Sequence, residues 1–200
     1  MKYVENIQQV AELQPDYLGF VFYEKSKRNF EGVIPKLPKS IKKTGVFVNE
    51  YVEILVSLVE EYRLEAIQLH GDESVDYIKE IKSHLTKVEV IKVFGIKDEF
   101  DFDILKSYEE VVDYFLFDTK GKERGGNGIT FNWKVLENYN STKPFFLSGG
   151  IGLEQIKEIQ EIRKTDLPIY AIDVNSQFEI EAGLKSVEKL KQFKTKVYGK

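Results

Sequence analysis

The arrangement in this sequence best suited to chemistry is a carboxylate at the end of an apolar strand, followed by a loop that carries glycines. Tyr114 to Phe117 is a short apolar run that delivers Asp118 at its C-terminal end, and Gly125, Gly126 and Gly128 follow in a charged segment. In parallel α/β sheets and barrels, strand C-termini carry the reacting side chains and the loops after them close over the ligand. An acid placed there can give or take a proton; it can equally cap the loop backbone. Two other strand-end loops offer ligands for an anion. Ser148-Gly149-Gly150-Ile151-Gly152 follows Phe145 to Leu147 and opens into a helix at Leu153, where bare N–H groups and the helix dipole suit a phosphate, although a tight strand-to-helix turn would use the same glycines. Ile169 to Ile172 then runs into Asp173-Val174-Asn175-Ser176, so two consecutive loops present phosphate ligands side by side, as barrels do after strands seven and eight. His70 stands where Ala66 to Leu69 meets its loop, and suits a structural hydrogen bond as well as proton traffic. Arg28, in the polar loop Glu24 to Asn29, can form a bidentate pair with a substrate carboxylate or serve as a solvated loop charge. With no metal or cofactor motif in view, these side chains support proton transfer on a small phosphorylated anion.

The elements that must hold these residues alternate along the chain. Val4, Ile7, Val10 and Ala11 fall at helical spacing, so the chain opens on an amphipathic helix with no strand before it. Tyr17 to Tyr23 is a continuous apolar run, the pattern of a parallel strand buried on both faces. Gly45 to Val48, Ala66 to Leu69, Val88 to Phe94, Tyr114 to Phe117, Phe145 to Leu147 and Ile169 to Ile172 supply further strands. Between them lie amphipathic segments: Tyr51 to Tyr62, Ser74 to Leu85, Leu153 to Arg163 and a last one at Leu184 to Phe193, before a solvated tail at Lys194 to Lys200. Repeated β-then-α units imply parallel strands with right-handed crossovers, hence a barrel or an open doubly wound sheet. The reading gives roughly seven strands against eight helical segments, whereas a closed barrel of this type needs eight strands. Either the sheet is open or the first strand of a barrel is absent from the chain as given. Unit spacing and the lack of a Gly-rich turn after the first strand favour the barrel.

Composition narrows the chemistry. The 200 residues, 42% hydrophobic and 31% charged, fit one α/β domain spanning 1–200. A net charge of -4 gives no basic footprint for nucleic acid. Without cysteine there are no disulfides or thiolate sites, and His70 and His84 are too few for a histidine-rich metal centre. No apolar run approaches the roughly 20 residues of a membrane span, and a cytoplasmic protein is expected.

Taken together, several segments resemble the phosphoribosylanthranilate isomerase family of tryptophan biosynthesis. They are Asp16 to Tyr23 with Ser26 and Arg28, Gly45 to Asn49, Ile67 to Asp72, Phe117-Asp118, Gly125 to Trp133, Ser148 to Gly152 and Asp173 to Glu179. The resemblance implies an eight-stranded (β/α)8 barrel and an Amadori rearrangement of N-(5-phosphoribosyl)anthranilate, with no cofactor. By position, Asp118 resembles the general acid that opens the ribose ring, and its apolar neighbours Phe115 and Phe117 would favour the protonated form if they enclosed it. Arg28 resembles the residue that meets the anthranilate carboxylate. Gly126, Gly149, Gly150, Asn175 and Ser176 fall in ligand-binding loops, and His70 and Asp173 lie beside the substrate.

The departures are specific. Family members usually begin with a strand near Lys-Ile-Cys-Gly, whose cysteine is the general base; Met1 aligns just after it, in keeping with the strand deficit. Lys27 stands where proline is common, Asn127 where Thr or Ser is usual, and Gln177 where Gly is usual. A barrel short of one strand and of that cysteine is expected to expose two edges and invite association between chains, and the chain alone is expected to be poorly stable, oligomeric or catalytically crippled. Two other readings stay open. An indole-glycerol-phosphate synthase relative would need a catalytic lysine on an inner strand, for which Lys92 is the candidate, and a non-catalytic barrel would bind a phosphate ligand without turning it over.

Overall fold

The computed structural model describes residues 1–97, 99–119 and 132–199. Seven strands, β1 (Tyr17–Phe22), β2 (Lys42–Phe47), β3 (Ala66–Leu69), β4 (Glu89–Ile96), β5 (Tyr114–Thr119), β6 (Phe145–Leu147) and β7 (Ile169–Ile172), form one parallel sheet in sequential order. That order has no reversal, so there is no switch point, and the doubly wound alternative is set aside in favour of a singly wound, curling sheet. Among the described residues β1 and β7 are the end strands, each laddered to one neighbour, and β1 makes one further bridge, between Val21 and Asn29. The amine of Met1 donates to the Gly19 carbonyl (2.6 Å), so the start of the chain lies along the open edge of β1.

Strand alternation sorts side chains into two cores. Leu18, Phe20, Phe47, Ile67, Leu69, Val90, Phe115, Phe117, Phe145 and Leu147 face outward. They pack under the helices α1 (Val4–Ala11), α2 (Val52–Tyr62), α3 (Val75–His84), α4 (Ile156–Ile162) and α5 (Val187–Tyr198). Ala66, Ile91, Val93, Leu116 and Phe146 face inward and form a second, smaller cluster with Tyr17, Tyr114 and Ala171. At the N-terminal end of the sheet, Tyr17 of β1 reaches Tyr170 of β7 (hydroxyls 3.4 Å apart), and Tyr114 stacks on Tyr170 (4.4 Å between centroids). Lys42 and Tyr17 both bond Glu89 there (2.5 and 2.9 Å). This floor brings the two edge strands across from one another and leaves the C-terminal ends as the open mouth.

Most elements follow the sequence pattern, with three corrections. β2 begins at Lys42, earlier than the apolar run, because Lys42 and Lys43 find partners in Glu89 and the Tyr62 carbonyl. The segment expected as a helix from Leu184 begins instead as a small hairpin, β8 (Glu179–Glu181) with β9 (Leu184–Lys185), turning at Gly183 with φ +87°. The helix after it, capped by Ser186, runs to Tyr198, so the expected tail is mostly ordered helix: Val197 is buried and Lys194 donates to the Leu13 carbonyl. Between β4 and β5, and in the described part of the β5–β6 connection, the chain makes short 3-10 turns (Phe102–Ser107 and Trp133–Asn138).

Candidate active site

The last inward-facing positions of the strands are polar where the floor and middle are not. Gln68 of β3 and Asp118 of β5, with Ser148 and Asp173 just after β6 and β7, share the inner face at the mouth. Their backbones are extensions of the sheet ladder: His70 N donates to Phe47 O (2.8 Å), Ser148 N to Phe117 O (2.9 Å) and Asp173 N to Leu147 O (2.8 Å). The site is therefore held by the most regular part of the fold.

Asp118 is 13% exposed and its Oδ2 lies 3.3 Å from His70 Nε2. Its Oδ1 accepts from Thr119 N (2.8 Å). Phe115 and Phe117 do not enclose it. By alternation both project into the helix-side core, while Asp118 shares the inner face with Tyr114 and Leu116, so the expected apolar cage is corrected. Asp173 sits half-buried on the same face, with Ser148 Oγ 3.5 Å from its Oδ2. Burial and then the neighbouring Asp118 carboxylate push its pKa up, opposed by Lys185, His70 and a hydrogen bond from Gln68.

The glycine loop after β6 is shaped by what it passes. Gly149 and Gly150 have φ +91° and +63°, and a Cβ on Gly149 would overlap Thr119 and come within 2.9 Å of Asp118 Oδ1. The loop thus lies directly against the acid. After β7, Asn175 and Ser176 lead into a 3-10 turn, Ser176–Phe178. Gln177 takes no left-handed backbone there, so a side chain fits the position where glycine is usual; it packs on Gly152. Gly126 and Asn127, with Gly125 and Gly128, lie outside the described residues.

Arg28 comes to the same end of the sheet, but not as a solvated charge. Its Nε lies 3.0 Å from both carboxylate oxygens of Glu179 and its Nη2 2.7 Å from Oε2. Glu179, 6% exposed, also accepts from Lys185 Nζ and Gly183 N (both 3.0 Å). Burial alone would raise the pKa of this carboxylate; Arg28, Lys185 and Gly183 outweigh it and hold it at about 2. Burial draws the Lys185 ammonium down, with Glu179 opposing. Lys185 Nζ further bonds the carbonyl (3.0 Å) and side-chain oxygen of Asn175, and its backbone is paired in both directions by the buried Asn6 side chain of α1 (2.9 and 2.7 Å).

Lys92 points away from the site. It lies on the outer face of β4 with Val90, 3% exposed, bonding Glu73 (3.1 Å) and the carbonyls of Leu69, Gly71 and Val93. Glu73 in turn accepts from the N–H groups of Asn49 and Gly71 (2.9 Å each). This buried pair pins the residues on either side of His70. It does not supply an inner-strand lysine.

Asp118, His70, Gly149, Gly150, Asp173, Asn175 and Ser176 are thus gathered at one mouth with Arg28 on its rim. Gln68, Glu179, Lys185 and Asn6 were missed. A polar residue at the last inner position of an apolar strand was a readable signal for Gln68, and one on the apolar face of α1 for Asn6. Nothing local in the sequence pairs Glu179 with Arg28, 151 residues away.

Comparison with known proteins agrees with this fold. Residues 1–196 match the family model described as N-(5'phosphoribosyl)anthranilate (PRA) isomerase. The chain is 41% identical over 200 residues to an N-(5'-phosphoribosyl)anthranilate isomerase of Parabacteroides distasonis, covering 96% of this chain and 88% of that one. Among solved structures, the phosphoribosyl anthranilate isomerase of Thermotoga maritima superposes with a TM-score of 0.82 at 30% identity, over 100% of this chain and 96% of that one. Another isomerase structure, in complex with reduced 1-(o-carboxyphenylamino)-1-deoxyribulose 5-phosphate, gives 0.79 at 28% identity over 99% and 95%. With sequence and fold in agreement over nearly its whole length, the chain belongs to the phosphoribosylanthranilate isomerase family.

Proposed function

We propose that this chain, acting as one unit over residues 1–200, converts N-(5-phosphoribosyl)anthranilate to 1-(2-carboxyphenylamino)-1-deoxyribulose 5-phosphate in tryptophan biosynthesis. The observation that carries the reading is Asp118 at the C-terminal end of β5, against His70 and beside Asp173, with the Gly149 turn packed on it and Arg28 at the same end of the sheet. Asp118 gives its proton to the ribose ring oxygen. The C1–O bond breaks as the nitrogen lone pair forms C=N. A proton then leaves C2, and the resulting enol becomes the ketone as C1 gains a proton and the C2 hydroxyl gives one up, so the step needs no redox partner. Among the residues of this sequence, Asp173 is the group we assign to accept the C2 proton: burial and a neighbouring carboxylate make it a stronger base than an ordinary aspartate. The N–H groups at Gly149 and Gly150, with Gly126 and the loop at Asn175 and Ser176, hold the phosphate, and Arg28 meets the anthranilate carboxylate.

The outward direction of Lys92 weighs against the synthase-like alternative. Asp118→Asn separates an isomerase from a binder. An isomerase loses about 10²- to 10⁴-fold in kcat while affinity for the reduced product analogue stays within a few-fold. Unchanged turnover in that variant would remove Asp118 from the mechanism. No helix among the described residues is long and apolar enough to cross a membrane. The family's biosynthetic role supports a cytoplasmic location. A Thermotoga maritima relative described as dimeric supports association with a second copy, which sedimentation reads directly.

A further inference from the structure

We propose that Glu179 is a positioning residue that aims Arg28, leaving one defined edge of its guanidinium for the substrate carboxylate. The inference rests on the isomerase reading and concerns how its specificity is built. A guanidinium has two edges that can take a carboxylate in parallel hydrogen bonds, one formed by Nε and Nη2, the other by Nη1 and Nη2. In this protein the first is filled by Glu179, with contacts of 3.0, 3.0 and 2.7 Å. Among the described residues the Nη1 side carries no protein hydrogen bond, so the end-on edge is the one presented to a ligand.

Glu179 cannot swing out to release the other edge, because it is itself held from behind. Lys185 Nζ and Gly183 N both reach its Oε1 at 3.0 Å, and the carboxylate is 6% exposed. Lys185 is fixed in turn by Asn6 of α1 through its backbone and by Asn175 through its ammonium. The chain of contacts runs from the first helix, through the β8–β9 hairpin, to a residue on the loop after β1. It converts a long, flexible side chain on a loop into an oriented one. Glu179 is shared between Arg28 and Lys185, so it does not by itself neutralise the guanidinium that meets the incoming carboxylate. The same lysine touches the loop assigned to phosphate, so both ends of the ligand are referred to one buried charge.

A pair that only stabilised the fold would affect all substrates alike, whereas an aiming residue matters only when there is a carboxylate to meet. The test uses N-(5-phosphoribosyl)anthranilate and its analogue without the carboxylate, N-(5-phosphoribosyl)aniline, on the wild type and Glu179→Gln. The variant is expected to lose about 10- to 100-fold in kcat/KM on the anthranilate compound, chiefly through KM, with the aniline compound within about threefold. Equal losses on both compounds, or none on either, would overturn the proposal. If the variant does not fold, the wild type decides by NMR. The Nε–H of Arg28, assigned by its absence in Arg28→Lys, is expected as a resolved, slowly exchanging signal; an averaged resonance like that of free arginine contradicts the aim. Failure of the wild type to turn over the anthranilate compound would count against the isomerase reading, and the NMR arm would still judge the position of Arg28.

Discussion

Asp173 and Glu179 show how two carboxylates near one mouth are driven in opposite directions by their neighbours. Burial and then the Asp118 carboxylate raise the pKa of Asp173, against the pull of Lys185, His70 and Gln68; for Glu179, Arg28, Lys185 and a backbone N–H outweigh burial, and its pKa falls to about 2. For Asp173 acting as a base, rate rises with pH as it deprotonates. The acidic limb of kcat/KM should therefore lie above the usual carboxylate range, and Asp173→Asn should lower kcat by about 10²- to 10⁴-fold. A normal acidic limb and intact turnover in that variant would reassign the base. For Glu179 the linkage has the other sign. Its folded pKa lies below its unfolded one near 4.5, so its contribution is present above that value and lost as pH falls toward 2. A shift of that size corresponds to about 3 kcal/mol. Melting temperatures of the wild type should fall between pH 5 and 2, and Glu179→Gln should flatten that fall. Parallel curves would mean the charge is not coupled to folding.

At the level of elements, the loop after β3 is fixed from the outer face of the sheet by the buried Lys92–Glu73 pair. Removing Lys92 leaves Glu73 buried, 1% exposed, without its cation. Lys92→Ala should cost about 3–5 kcal/mol, read as a lower urea midpoint, because an unpaired buried charge is more costly than the pair. A loss below 1 kcal/mol would mean the pair is open to water. Gly149→Ala should cost about 1–3 kcal/mol from its left-handed backbone alone. Turnover should also drop, since the added methyl meets Thr119 and Asp118; an active variant of normal stability would contradict the geometry. What was legible in the sequence follows the same division. Runs such as Ala66–Leu69 and Phe145–Leu147 have the bounds their apolar pattern predicts, because burial leaves no other place for them; Ile169–Ile172 keeps its bounds as a partly exposed end strand. The hairpin at Glu179 to Lys185 was hidden. Its strands are too short for periodicity, and its reason to exist is a charge network closed by residues far away in sequence. The enclosure of Asp118 by Phe115 and Phe117 was misread because adjacent strand residues point to opposite faces.

For the whole molecule, the sequential strand order and the tyrosine floor place every strand C-terminus at one open end, which is why residues from 28 to 179 can share a site. Composition and the alternation of elements were enough to reach a barrel-type sheet, and resemblance added the reaction. The side chains that orient the site, Glu179, Lys185 and Asn6, required coordinates, since long-range polar pairing leaves no local trace. The measurement that tests the account most directly is turnover of N-(5-phosphoribosyl)anthranilate by the 200-residue chain, followed as loss of its fluorescence, beside Asp118→Asn at equal concentration. The account predicts loss of fluorescence with the wild type and a rate lower by about 10²-fold or more with the variant. A folded wild type that leaves the fluorescence unchanged at enzyme concentrations near that of the substrate would contradict it.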